Sequence, residues 1–432
     1  MRLVFTLLHR WVGLVIATFL FVSGLTGAVI SWDHELDDLL NPHLMEARSS
    51  GPASPVLDLV KRVEAADPRV QAVSFPTTVE PGESLAIFVL PRTDPATGRL
   101  YEPGYNQIFL DPATGEELGR RKWGQAFPLS TETFVSFLYK FHYSLHIPAF
   151  WGINRWGEWL LGGVAILWTL DCFIGFYLTT PVRHAPNPGR PADVERALRR
   201  GWWARWKAAW RIKTGGSAYR LNFDIHRAVG LWTWGLLFIL AFTAFSLNLS
   251  REIFRPLLEM VSTVTPSPFF TRAPSGLHKP IVPHIGYAEA IEIGRADADR
   301  RGWSEPVGHV FYVQRLGFYG VRFYEGNGHD AAGVGPPVIY VDGNDGAVIG
   351  GRVPWQGTVA DIFIQAQFPV HSGRILGLPG RILISVMGLV VAALSVTGVV
   401  VWVRKRRARA AVRKGRSARA SPASDAVPDP AE

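Results

Sequence analysis

Four stretches of the chain stay apolar for roughly 20 residues or more, the length an α-helix needs to cross a hydrocarbon core of about 30 Å. They predict transmembrane helices over residues 3–33, 155–181, 226–250 and 380–403. The two long connections, 34–150 and 251–375, are patterned differently. Each opens on a helix-period segment, VLDLVKRVEAAD from Val56 and YAEAIEIGRADADRRG from Tyr287. Each continues into alternating strands, SLAIFVLP and HVFYVQRL, and then a strand, an Asp/Gly turn and a strand: QIFLDPATGEELGRR from Gln107 and VIYVDGNDGAVIGGR from Val338. Alternation broken by Asp and Gly is the mark of a hairpin. Each connection is therefore expected to fold as a small α+β domain with a helix packed on an antiparallel sheet.

The order span, domain, span occurs twice, and the repeat extends to single residues. LHRWVGL from Leu8 returns as IHRAVGL from Ile225, so His9 corresponds to His226, an offset of 217 (226 − 9). The span from Gly157 to Gly175 likewise resembles that from Gly380 to Gly398. Self-similarity of this kind fixes architecture early. The expected fold is an α-helical membrane protein with four transmembrane helices in two pseudo-repeats, carrying two small α+β domains.

With 48% hydrophobic residues and a net charge of +9, the chain fits neither a disordered chain nor an ordinary soluble enzyme. Mean hydropathy is positive. The 16 tryptophans suit residues that gather where a bilayer meets water. The connection 182–225 and the tail 404–432 are basic, the latter carrying VRKRRARAAVRKGR from Val403, which places both in the cytosol. Both termini are then cytosolic, and the domains 34–150 and 251–375 are periplasmic, as expected of a multi-pass protein of a bacterial inner membrane. The first apolar run is too long for a cleaved signal and reads as a retained anchor. The positive charge reports this topology and a lipid bilayer partner, so no nucleic acid is expected. Within 182–225, Trp202, Trp206 and Trp210 recur at i, i+4 and i+8 among Arg and Lys, which predicts a helix lying on the inner leaflet; docking of an electron donor is the other reading. Cys172 has no partner for an intrachain disulfide and reads as a buried thiol.

Histidine placement carries the candidate chemistry. His9 and His226 lie near the cytosolic ends of the first and third spans, where a ring facing lipid is costly, so both should face the bundle. On the other side, FHYSLHIP supplies His142 and His146, and FPVHSGR supplies His371. Matching the repeats favours His142 as the partner of His371, with His146 as the alternative. Paired imidazoles in a helical bundle suit axial ligation of haem iron. Arg10 and Arg227 inside, and Arg374 and Arg381 outside, are placed to neutralise haem propionates. The plainer alternative makes each histidine a hydrogen-bonded packing residue. Asp171, in WTLDCFIG, aligns with Leu394 of the second half. It either orients a ligand histidine or carries a proton, or it is satisfied by a hydroxyl, Arg10 or Arg227. His34, His43, His184, His278, His284, His309 and His329 read as solvated loop residues. Trp151, Trp156, Tyr105, Tyr319 and Trp355 offer aromatic surface for a substrate, or serve as anchors and core.

LHRWVGLVIATFLFVSGLTGAVISWDHELDDLLNP, FHYSLHIP with WTLDCFIGFYLTTP, and FPVHSGRILGLPGRILISVMGLVVAALSVTGVVVW together resemble the PepSY-associated transmembrane family. The likeness spans the chain to about Arg407 and extends to bacterial inner-membrane ferrisiderophore reductases of the ferrioxamine type. The resemblance implies PepSY-like periplasmic domains and b-type haem, two per chain, ligated by His9, His142, His226 and His371. It also implies an electron path from a cytosolic electron donor to a periplasmic ferric siderophore, whose iron is released on one-electron reduction. Relatives fused to a flavin reductase differ from this chain. Its one glycine-rich run, Gly326 to Gly335, lies in a periplasmic loop, the wrong context for a dinucleotide. Two other functions compete: a PepSY module that binds peptide or regulates a peptidase, and a permease-like transport accessory built from repeats. Paired intramembrane histidines argue against the first. Against the second, spans one and three show no Gly or Pro break.

Overall fold

A computed structural model of the chain describes residues 1–181, 201–326 and 330–420. Its main helices are α1 (Arg2–Ile30), α2 (Asp33–Leu40), α3 (Val56–Ala66), α4 (Thr131–Ser144), α5 (Trp156–Thr179), α6 (Ala218–Trp232), α7 (Trp234–Asn248), α8 (Tyr287–Arg300), α9 (Val359–Ser372) and α10 (Gly377–Ala420). Among the described residues, three helical stretches are long and apolar enough to cross a membrane: α1, α5 and Arg374–Arg413, most of it α10. The third expected span, 226–250, is instead a broken one. Helices α6 and α7 meet at a bend of 71°, and a fourth crossing exists only if they count together. Thr233 leaves helical geometry there (φ −101°, ψ 6°), and its hydroxyl donates back to Val229 O. The indoles on either side donate to different elements, Trp232 to Trp210 O and Trp234 to Cys172 O, which holds the two segments apart in direction. Large apolar side chains such as Trp11 and Val15 on α1, and Val386 and Leu389 on α10, stand exposed. Such a surface suits hydrocarbon, where helices satisfy their own backbone groups.

The described chain divides into two compact units. One comprises Met1–Gly24, Leu167–Phe238 and the chain from Leu389 onward; the other comprises Leu25–Ile166 and Ile239–Gly388. In the first, the tryptophan-rich segment is shorter than the expected interfacial helix. One turn of α-helix over Trp202–Trp206 and a 3-10 turn over Lys207–Trp210 end where Arg211 becomes extended. The indoles of Trp202, Trp206 and Trp210 still follow one another, at 5.2 and 5.3 Å, and Trp206 Nε1 donates to Thr179 Oγ1. Helix α10 runs on through Ala420, into the basic tail, because Arg, Lys and Ala are good helix formers. Residues 182–200 of the expected basic loop, His184, His329 and the tail from 421 lie outside the described residues.

The second unit holds the eight strands among the described residues: β1 (Val70–Pro76), β2 (Leu85–Pro91), β3 (Gln107–Leu110), β4 (Glu117–Arg121), β5 (Val307–Val313), β6 (Phe318–Phe323), β7 (Val338–Asp342) and β8 (Val348–Arg352). The sequence predicts two separate α+β domains; the structure joins them in one antiparallel sheet, ordered β4-β3-β2-β1-β5-β6-β7-β8. Strands β1 and β5 pair through Ser74↔Phe311, Phe75↔Val310 and Pro76↔His309. Each would otherwise be a bare edge with unpaired N–H and C=O groups, so pairing them satisfies both. The cores merge as well: Phe75, Ile87, Val310 and Tyr319 belong to one buried cluster beneath α3 and α8. Tyr287 OH donates across the seam to Ala72 O.

Both predicted hairpins form, and each turns on an aspartate followed four residues later by glycine. Gly115 and Gly346 take φ of 74° and 76°, which only glycine adopts without strain. Asp111 accepts from the backbone of Arg48, Ser49, Ala113 and Thr114 and from the Ser49 hydroxyl, contacts that hold its carboxyl well below the usual range.

His309 is not a loop residue. It sits on β5, bonded to Ser74 Oγ, with Nδ1 buried and unpartnered among the described residues. Burial, helped by the Arg322 charge, pushes its pKa down to about 3. The unfolded chain takes up that proton near ~6.5, the folded chain only near the lower value, so between them unfolding is coupled to proton uptake. Stability should fall by up to about 1.4 kcal/mol per pH unit as pH drops below that upper value. Thermal unfolding followed against pH checks this, with His309→Gln expected to flatten the slope. Two of the aromatic residues offered as substrate surface, Tyr105 and Tyr319, are core side chains, whereas Trp151 is exposed.

Candidate functional site

In the first unit, α1 brings His9 and α6 brings His226 to face one another. Their ring centroids lie 6.3 Å apart with planes inclined at 51°. Each Nδ1 is engaged. His9 Nδ1 contacts both carboxylate oxygens of Asp171 on α5, at 3.0 and 2.9 Å. His226 Nδ1 lies 3.1 Å from Leu394 O and 3.0 Å from Thr397 Oγ1 on α10. A carboxylate or carbonyl oxygen only accepts, so both rings donate from Nδ1, and in the neutral form of each ring Nε2 keeps its lone pair. One turn beyond Asp171, Gly175 lies beside the ring, where a Cβ would make ordinary contact at 3.5 Å from His9 Cε1. One turn beyond Leu394, Gly398 clears the His226 ring more tightly, since a Cβ there would stand 3.1 Å from Cε1.

The second unit repeats the arrangement. His142 on α4 and His371 on α9 again have centroids 6.3 Å apart and planes at 51°. Both Nδ1 atoms meet threonine hydroxyls, Thr26 at 3.0 Å and Thr243 at 2.8 Å. Thr243 spends its hydrogen on helix carbonyls, Ile239 O at 2.7 Å, so it accepts from His371 Nδ1, and in the neutral ring Nε2 again keeps its lone pair. Gly27 leaves room beside His142, where a Cβ would lie 2.9 Å from Cε1.

The bearing helices are positioned alike. Each begins with a capping box, Ser130 with Thr133 and Thr358 with Asp361, and ends in a left-handed residue, Leu145 or Gly373. Each then packs its last carbonyl onto the next helix at a glycine: Ser144 O against Gly157 and Gly373 O against Gly380. His146, the alternative ligand, points elsewhere. It bonds to Phe137 O at 3.0 Å and stacks on Phe137.

The arginines divide. Arg10 Nε is buried with no hydrogen-bond partner among the described residues, and its guanidinium lies over Trp11. Arg227 is taken up by Asp224 and by the carbonyls of Ala208 and Ala209. Arg374 pairs with Asp33 and Asp330, and Arg381 with Glu35. Asp171 therefore meets neither Arg10 nor Arg227; it serves His9.

Two imidazoles alone make a poor site for a bare ion, and no group of three or more His, Cys, Asp or Glu is placed to hold one among the described residues. The donor set instead fits a metal whose other ligands come with it. Metal–imidazole bonds of about 2 Å, with each ring centroid about 1 Å further back, place two axial rings roughly 6 Å apart, centroid to centroid. Both pairs match that separation. His9, His226, His142 and His371 are thus the residues that would hold haem iron; Arg10, next to His9 in sequence, keeps its Nε without a hydrogen-bond partner among the described residues.

Sequence reasoning missed Thr26, Thr243, Thr397 and the clearing glycines. The repeat was the signal that could have found them. Thr26 maps to Thr243 at the offset of His9 to His226, and Gly175 maps to Gly398 as Asp171 does to Leu394. Comparison with known families finds that the PepSY-associated TM region matches residues 6–405. No curated protein matches the chain.

Proposed function

The chain belongs to the PepSY-associated TM region family, and we propose that this membrane-spanning member is a haem b reductase of ferric chelates. It would take electrons from a cytosolic donor and deliver them, one per iron, to a ferric siderophore in the periplasm of a bacterial inner membrane. The observation that carries the reading is the recurrence of one geometry at both histidine pairs: imidazoles 6.3 Å apart, each Nδ1 engaged. Haem held there supplies one-electron chemistry. The chain's residues do the rest. Asp171, Leu394 and the threonines fix ring orientation and tautomer, as partners of ligand histidines do. The glycines make space, and the Arg10 donor offers a propionate a charge-assisted bond. Basic residues flanking α6 and ending α10 favour the cytosol for the first pair. At the far end, reducing Fe(III) to Fe(II) weakens the hold of a hard oxygen chelator and frees the metal.

The test is an absorption spectrum of detergent-purified protein, oxidised and dithionite-reduced, with haem stoichiometry. Two b-type haems per chain are expected. A colourless preparation of intact protein from haem-replete cells would overturn the reading. The 71° bend at Thr233 favours a second one, since broken helices serve transporters. Solute flux into vesicles holding haem-free protein would replace the reductase with a permease.

A further inference from the structure

The two histidine pairs match in separation, inclination and repeat position, yet they differ in what the Nδ1 atoms meet. At the His142–His371 pair both partners are neutral hydroxyls, Thr26 and Thr243. At the His9–His226 pair the halves diverge: His226 meets the Leu394 carbonyl and the Thr397 hydroxyl, while His9 meets the carboxylate of Asp171. Asp171 is 8% exposed, and its one ion pair among the described residues is with His9. The second half shows that the fold does not need an acid here, since Leu394 occupies the matching position. A buried carboxylate with no arginine or lysine paired to it among the described residues is costly and calls for a compensating use.

We infer that Asp171 is a positioning residue that acts through His9 to hold the reduction potential of iron at the His9–His226 pair below that at the His142–His371 pair. The inference rests on the haem reading above. A carboxylate accepting from Nδ1–H draws the proton toward itself and makes the imidazole a stronger donor, and its charge in a low-dielectric setting favours ferric over ferrous iron. A threonine hydroxyl does neither to the same degree. An electron delivered to the His9 end would then run downhill to the other pair.

The experiment is a spectroelectrochemical titration of the full, haem-loaded chain. Wild type should show two midpoint potentials, the lower one vanishing in His9→Ala. Asp171→Asn should raise the lower potential and leave the upper one in place, and Asp171→Glu, which keeps the charge, should stay near wild type. Thr26→Asp puts a carboxylate against His142 and should lower the upper potential; this arm decides the matter if Asp171→Asn fails to hold haem. A single potential in wild type, an unmoved lower potential in Asp171→Asn, or an unmoved upper one in Thr26→Asp overturns the inference. Protein without haem sinks the reductase reading itself; haem whose potentials ignore these substitutions sinks only this one.

Discussion

On the proposed haem reading, in which each histidine pair holds one haem, alanine at His9 or at His226 is expected to remove one of the two, and alanine at both should remove no more than either alone. The two rings face each other across 6.3 Å, so they act as one site, and losing either axial donor loses the site. Residues that work as a unit are not additive. The combination of His9→Ala with His371→Ala draws on different pairs and should leave no haem at all. Haem stoichiometry measures the outcome, and under the proposed function ferric-chelate reduction should fall to background in each single variant. Equal haem content in wild type and His226→Ala would rule out the assignment. His146→Ala is the control: its ring is held by Phe137 O, away from His371, so haem content should not change.

The second large effect is structural. Gly380→Ala should dislodge the His142–His371 pair while leaving the His9–His226 pair in place. A Cβ at Gly380 would overlap the Gly373 carbonyl oxygen, and one at Gly157 would overlap Ser144 O. Backbone has no rotamer to escape through, so the cost should reach or exceed the upper end of the ~1–3 kcal/mol typical of overpacking. The strained carbonyls follow His371 and His142 by two residues, which is why those ligands move first. Gly163, on the same helix as Gly157, has nothing within 4 Å of an added Cβ, and Gly163→Ala should melt and bind haem as wild type does. A Gly380→Ala protein with full haem content and an unchanged melting temperature would count against the packing described.

Much of this could be read from the chain alone. Apolar runs marked α1, α5 and α10 because their length is set by lipid thickness, and both hairpins were visible because their turns need glycine in the left-handed region. Pairing of the histidines followed from the repeat. What escaped depends on contacts between distant residues. Whether His142 or His146 faces His371 is settled by Leu145 turning left-handed after α4, which sends His146 back onto Phe137. The bend at Thr233 falls between Gly230 and Gly235, with the indoles of Trp232 and Trp234 bonded to separate elements, contacts that the span's apolar pattern does not show. The joined sheet and the burial of His309 both arise from the β1–β5 pairing, which joins residues more than 230 positions apart. The hydroxyls at Thr26 and Thr243 looked like ordinary span residues until the rings beside them were placed.

That seam has a further meaning. A single repeat supplies one imidazole to each pair and leaves a strand without a neighbour, so it is complete only against a copy of itself. Two identical copies related by a twofold axis must place every new side chain twice. Joining them in one polypeptide lifts that obligation, and a carboxylate at 171 faced by leucine at 394 is a difference that no self-paired ancestor could have carried.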